Sequence, residues 1–259
     1  MIKRELIEPI LSEYPVISLA EMEGIRLMNR VDTKYTTSLP ELPGLLKSLQ
    51  TDYLVQEING SLLNAYHTLY LDTYDRDMYM EHHNCRRLRE KIRVRTYQDT
   101  QTVFLEVKAK NNKGRTKKRR LELPEIKDYK QKKAEDFLVR YAKYAPETLL
   151  PRLESRFYRI TLVNRKKTER LTIDLNLSFF NPQDDAEKQL DDLVIVELKQ
   201  EGHQPSFAKN ILSDLKIRPI AISKYCLGTV MTVPDIKSNL FKEKIIQINK
   251  IRIKQHGTI

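Results

Sequence analysis

The chain has no tryptophan, two cysteines, five histidines and seven glycines in 259 residues. Cys85 and Cys226 have no partner at metal-ligand spacing, which excludes a dense disulfide framework and a structural zinc site. The histidines form no HExxH pair, and the neighbours His82 and His83 fall on different faces of an extended segment. No apolar run approaches the eighteen or so residues needed to cross a bilayer. The opening MIKRELIEPILSEYP is broken by Glu5 and Glu8 where a secretion signal would be apolar, so a cytoplasmic protein is the default reading. No P-loop is present. Any metal is therefore expected to be a hard ion held by carboxylates and substrate oxygens.

Charge is abundant, and it is unevenly placed. The chain carries 46 Lys+Arg against 35 Asp+Glu, a net +11, with a mean hydropathy of −0.55 and 40% apolar residues, as in a soluble folded protein. Residues 86–120 hold fourteen Lys or Arg against Glu90, Asp99 and Glu106, an excess equal to that of the whole chain. Such a field attracts phosphates, nucleic acid or an anionic membrane surface. Residues 184–201 are acidic instead, with seven acids against Lys188 and Lys199. A molecule with both features can set a cation beside a polyanion.

The periodicity reads as charged-faced strands with peripheral helices. KIRVRTY at 91–97 puts Ile92 and Val94 on one face and Lys91, Arg93 and Arg95 on the other. TVFLEVKAK at 102–110 repeats the alternation, and TKKRRLELP at 116–124 puts Lys118, Arg120 and Glu122 together. Further strands are expected at 24–38, around Ile25, Leu27 and Val31, and at 62–76, 151–163, 170–180 and 193–201, with 78–86 leading into a strand or forming a short helical turn. Helices are expected at 3–13, 41–53, 127–144, 206–217 (with Ser206 as its cap) and 222–230. Residues 236–259 form a basic tail, helical or partly disordered, after a domain spanning 1–235. Charged strand faces are either ordinary solvated hairpins or the inward faces of a closed antiparallel barrel. The second demands that water, a polyanion and carboxylates such as Glu106, Asp174 and Glu197 satisfy the charges.

A series of motifs then appears in order: NRVDTKY (29–35), YLDTYD (70–75), LREKIRVRTY (88–97), FLEVKAK (104–110), GRTKKRR (114–120), PRLESRFYRITLV (151–163), RLTIDLNL (170–177), VIVELKQEG (194–202) and RPIAISKY (218–225). Together they resemble a VTC-type polyphosphate polymerase domain, in the CYTH-like triphosphate tunnel superfamily. The resemblance implies an α+β fold, an antiparallel β-barrel with a charged lumen and peripheral helices. It implies a catalytic lining of Arg93, Arg95, Lys108, Arg159, Arg170 and Lys224. Secondary phosphate contacts fall to Arg30, Lys34, Lys118, Arg120 and Lys199, with Arg119 as a substitute in the KKRR run, while Glu197 is the metal ligand and Glu106 and Asp174 are weaker candidates.

The implied reaction transfers the γ-phosphate of ATP to a growing inorganic polyphosphate chain, with Mn2+ or Mg2+ and release of ADP. The alternatives are a metal-dependent triphosphatase or polyphosphatase of the same fold, and a noncatalytic polyanion-binding module. Nucleic acid is an unfavoured partner, since no recognition helix or aromatic-basic platform is present. Delivery of product across a membrane would need a separate membrane protein partner. The basic tail leaves open a peripheral place at the inner face of a membrane. Two departures stand out: Ala221 sits where eukaryotic members commonly have a lysine, and Phe157 replaces the tyrosine of the YxR element.

Overall fold

The alternation of apolar and charged residues decides the architecture, because a strand with two unlike faces must bury one and leave the other wet. The computed structural model describes residues 4–23, 30–202 and 204–253. In chain order these form α1 (Glu8–Ser12), β1 (Val16–Ser18), α2 (Leu19–Glu23), β2 (Arg30–Ser38), α3 (Leu42–Leu49), β3 (Tyr53–Glu57), β4 (Asn64–Asp72), α4 (Asp77–His83), β5 (Arg89–Tyr97), β6 (Thr102–Lys110) and β7 (Thr116–Leu123). There follow α5 (Lys132–Tyr141), β8 (Leu150–Asn164), β9 (Glu169–Asn181), β10 (Ala186–Leu190), β11 (Leu193–Glu201), α6 (Phe207–Asp214), α7 (Lys224–Thr232) and α8 (Lys242–Ile253).

The main sheet runs β2-β11-β9-β8-β4-β5-β6-β7, with every neighbouring pair antiparallel. Strand β3 adds to β8 and carries β1 in parallel, while β10 pairs with β9. The α+β class stands, but the expected barrel does not: β2 and β7 are the two ends of the path and do not pair, so the sheet is open. A physical reason lies in β7, whose Lys117, Lys118, Arg119 and Arg120 are all exposed and present a dense cationic edge, a device that blocks strand addition. The sheet still curls strongly. Lys108 on β6 feels the charges of Lys34 and Asp32 on β2 and of Glu197 on β11, strands towards the other end of the path, as it can only if the charged face is concave.

The opposite face is the core. Ile160, Leu162, Leu171, Ile173, Val194 and Val196 pack under α3 and α6, whose Leu42, Leu45, Leu46, Leu49 and Leu212 recur at helical spacing and are fully buried. Each such side chain contributes on the order of 1.5–3 kcal/mol by leaving water. Ile92, Val94, Leu105 and Val107 pack against Ala134 and Leu138 of α5. A third cluster closes one end of the concave face, where Tyr225, Cys226 and Leu227 of α7 and Ile248 of α8 meet Tyr66, Tyr70, Phe157 and Phe179. The tail thus includes a helix with a buried contact. Ser206 and Ser223 accept bonds from the backbone N–H of Lys209 and Cys226 and start α6 and α7. Residues 77–83 take the helical alternative, because the buried carboxylate of Asp72 accepts from the N–H groups of Met78 and Tyr79. Ile25 and Leu27 lie outside the described residues.

Candidate active site

The register of β5, β6 and β7 stacks the basic residues in rows across the concave face. Lys91 faces Lys108, which faces Lys118; Arg93, Glu106 and Arg120 form the next row; Arg95, Phe104 and Glu122 the third. Glu106 is 1% exposed and is gripped by Arg93, through Nε at 2.7 Å and Nη2 at 2.6 Å, and by Lys118. Burial alone would raise its carboxyl, but Arg93, Arg95 and Lys118 outweigh that and bring it down to about 2. It is a permanent anion whose task here is to hold Arg93 in one pose. Arg95 donates to Thr68 Oγ1 at 3.2 Å and lies 5.6 Å from the Tyr66 ring centroid, so burial without a carboxylate partner lowers its pKa.

The other half of the face repeats the device. Asp174, 2% exposed, accepts from Arg159 Nε at 2.6 Å and Nη2 at 2.8 Å, and from Lys224 at the first turn of α7. Burial works against the Asp174 anion, yet Arg159 and Lys224 hold it well below the usual aspartate range. Burial brings the Lys224 ammonium down to about 8 despite that contact. Lys224 also stands 4.3 Å over the Phe157 ring, which stacks on Tyr66 at 5.2 Å with planes 7° apart. Arg159 lies 4.9 Å from the Tyr66 centroid, so with Arg95 three cations rest on one aromatic bed.

Glu197 on β11 pairs with Lys199 at 3.0 Å and sits opposite Lys34 on β2. Burial opposes its charge too, but Lys199 and Lys34 keep it well below the usual range. Lys34 itself donates to the Ile222 carbonyl at 2.9 Å, tying β2 to the segment that leads into α7. Arg170 lies opposite Lys199 in the β9–β11 ladder.

Eleven of the twelve residues nominated from the sequence therefore share one concave face: Lys34, Arg93, Arg95, Lys108, Lys118, Arg120, Arg159, Arg170, Glu197, Lys199 and Lys224. Arg30 begins β2, and its side chain lies outside what is described. Arg119 falls on the opposite face of β7, 5.7 Å over Tyr141, so Lys118 and Arg120 are the KKRR members that face inward. Lys91 was not nominated. It stands in the same row as Lys108 and has no hydrogen bond or ion pair among the described residues, and burial lowers its ammonium to about 7. The alternation of KIRVRTY already placed it beside Arg93. The Tyr66–Phe157 bed was also missed, since its two halves are 91 positions apart and meet through the β4–β8 ladder.

Glu106 and Asp174 are spent on arginine and lysine and are poor metal ligands. Among the described residues no group of three His, Cys, Asp or Glu could cage an ion. Of the three nominated carboxylates, Glu197 is the one whose second oxygen has no ion pair among the described residues. That donor set suits Mg2+ or Mn2+, which bind through one or two carboxylates and take their remaining ligands from phosphate oxygens and water.

A sequence model of the VTC domain matches residues 29–233 of the chain. The chain belongs to the VTC family. The family lies in the CYTH-like triphosphate tunnel superfamily, whose enzymes act on phosphate-containing substrates, generally with metal assistance. A solved structure of a candidate adenylyl cyclase from Hippeastrum, described as revealing a dominant triphosphatase activity, is 14% identical to this VTC chain, covers 80% of it and 98% of its own length, and has a TM-score of 0.51. A candidate adenylate cyclase from Vibrio parahaemolyticus is 11% identical over 77% of this chain and 97% of its own, with a TM-score of 0.46. At 14% identity the likeness to the Hippeastrum structure is one of fold. No curated protein matches the chain. No described helix of this VTC protein is long and apolar enough to cross a membrane.

Proposed function

We propose that the protein is an ATP-dependent polyphosphate polymerase. What carries the reading is the imbalance on the concave face: Lys91, Arg95 and Lys108 have no carboxylate bonded to them, while Arg93 and Arg159 are held rigid by buried carboxylates. A linear phosphate chain carries roughly one negative charge per unit and supplies the missing anions. Fixed cations of this kind stabilise charge as it moves between phosphate oxygens, without reorganising at the moment of reaction.

The terminal phosphate oxygen of the growing chain attacks the γ-phosphorus of ATP. A new P–O–P link forms, the bond from the γ-phosphorus to the β–γ bridging oxygen breaks, and ADP leaves with that electron pair. The nucleophile is already an anion, so no side chain has to remove a proton. Arg93, Arg95 and Arg159 orient phosphates by paired N–H donors, and Lys108, Lys118 and Lys224 act as point charges. Arg170, Arg120, Lys34 and Lys199 extend the cationic lining. Glu197 would hold Mn2+ or Mg2+, which when bound screens repulsion between the reacting phosphates.

The test is purified protein with ATP and Mn2+, with and without a short polyphosphate primer, following ADP and chain length on a gel. The intact protein should make long chains, and Glu197→Gln and Arg93→Ala should lose at least about a hundredfold in rate, the scale of one lost transition-state contact. Phosphate release without chain growth would make it a hydrolase, the activity described for the Hippeastrum protein. Polyphosphate binding with no turnover would make it a binding module.

A further inference from the structure

The β6–β7 hairpin continues past the concave face. Beyond the row of Lys91, Lys108 and Lys118, the strands run on through Lys110 and Lys117 to a turn at 111–115, closed by Gly114 at φ 76° and by the Asn111 side chain accepting from the Arg115 N–H. At about 3.3 Å per residue, the tip stands roughly 15 Å beyond Lys108. From Val107 to Leu121 there are eight Lys or Arg and no acid. Lys113, Arg115 and Lys117 are exposed and have no ion pair among the described residues.

We propose that this hairpin is a second, outer polyanion-binding surface, which carries the part of an inorganic polyphosphate chain that extends beyond the concave site. The inference rests on the polyphosphate reading of that site and adds to it a place for the rest of the chain. Three observations support it. Lys110 follows Lys108 on the same face and Lys113 and Arg115 stand at the turn beyond it, while Lys117, opposite Ala109, flanks the turn from the other face, so a chain leaving the Lys108–Lys118 pair meets the next positive charge without crossing an acidic residue. The arm is unneutralised, as a track for a mobile anion should be. It has no aromatic residue between 107 and 121, so it offers bases nothing to stack on, which favours a plain phosphate chain over a single-stranded nucleic acid.

The distance supplies the test. Triphosphate seated among Arg93, Arg95 and Lys108 is too short to reach the tip, whereas a chain of several tens of phosphates spans both. Affinities of the full chain for inorganic triphosphate and for long polyphosphate are measured at several salt concentrations, for the wild type, for a Lys113→Ser, Arg115→Ser, Lys117→Ser triple variant, and for Arg93→Ala. The triple variant should bind triphosphate as the wild type does and long polyphosphate at least about tenfold more weakly. Its slope of log affinity against log salt should be shallower by about two, as expected for three lost phosphate contacts. Equal loss for both ligands, or loss for neither, would overturn the outer surface. So would a wild type that holds a single-stranded RNA of the same charge as tightly as polyphosphate, with the same dependence on the hairpin. Failure of the underlying reading looks different, since Arg93→Ala would then leave triphosphate binding unchanged.

Discussion

Asp174→Asn removes one charge and leaves two cations behind. In the folded protein the Asp174 carboxylate accepts from Arg159 at 2.6 and 2.8 Å and from Lys224, and all three side chains are largely shielded, at 2%, 14% and 13% exposure. Breaking a buried ion pair from one side costs about 3–5 kcal/mol. Arg159 and Lys224 keep some access to the wet concavity, so the lower end applies, near 3 kcal/mol. For a chain of this size each kcal/mol moves the melting temperature by about 2–4 °C, which predicts a fall of at least about 6 °C. The measurement belongs near neutral pH. The depressed aspartate stabilises the fold above its ordinary pKa, and that stability is lost as pH falls through the lowered folded value, so neutral solution displays the whole difference. Saturating triphosphate should then stabilise the variant more than the wild type, because phosphate oxygens replace the missing carboxylate beside Arg159 and Lys224. A melting temperature within about 1 °C of wild type, or equal stabilisation by triphosphate in both proteins, would refute the assignment of Asp174 as the counter-ion of Arg159 and Lys224.

Three further predictions follow from other contacts. Lys91 is brought down to about 7 by burial and faces Lys34, Lys108 and Arg93, so triphosphate affinity should fall as pH rises through neutrality. In Lys91→Arg the slope, measured by titration calorimetry, should flatten without vanishing, since Lys199 and Lys224 also titrate near 8; an unchanged slope would exclude Lys91 as a phosphate contact. Gly228 in α7 packs so tightly that a Cβ there would stand 2.5 Å from Phe179 and 2.6 Å from Leu153, so Gly228→Ala should cost about 1–3 kcal/mol in thermal melts, and a neutral result would show that α7 is free to shift. Ala221→Lys adds a cation next to Ile220, whose N–H donates to the Lys34 carbonyl at 2.8 Å; at about 1 kcal/mol for a partly screened contact, triphosphate should bind roughly fivefold tighter, and weaker binding would contradict the polyanion reading.

Strand pairs with two unlike faces were legible because the information is local. The spans 102–110 and 193–201 coincide with β6 and β11, and the alternation in KIRVRTY assigns Arg93 and Arg95 to the wet face and Ile92 and Val94 to the core. The motif series then collected the basic residues that the ladders bring together. What escaped depends on contacts distant in sequence. Whether β2 and β7 pair is a property of two edges 78 residues apart from Ser38 to Thr116, and the cationic edge of β7 argued against closure more strongly than the motifs argued for it. The helix at 77–83 follows from Asp72 capping a turn that lies outside its own strand. Asp174 looked like a weaker metal ligand because its partner Lys224 is 50 positions away and enters from a helix rather than a strand.

The strict alternation on β5 and β6 also constrains how such a protein can change over generations. Deleting one residue between Lys91 and Arg95 would turn Ile92 or Val94 toward the solvent and drive an arginine into the apolar layer, so a single indel would damage foldability and chemistry in one stroke. Lineages carrying this sheet should therefore vary the length of these two strands in steps of two residues and confine odd-numbered insertions to the turns.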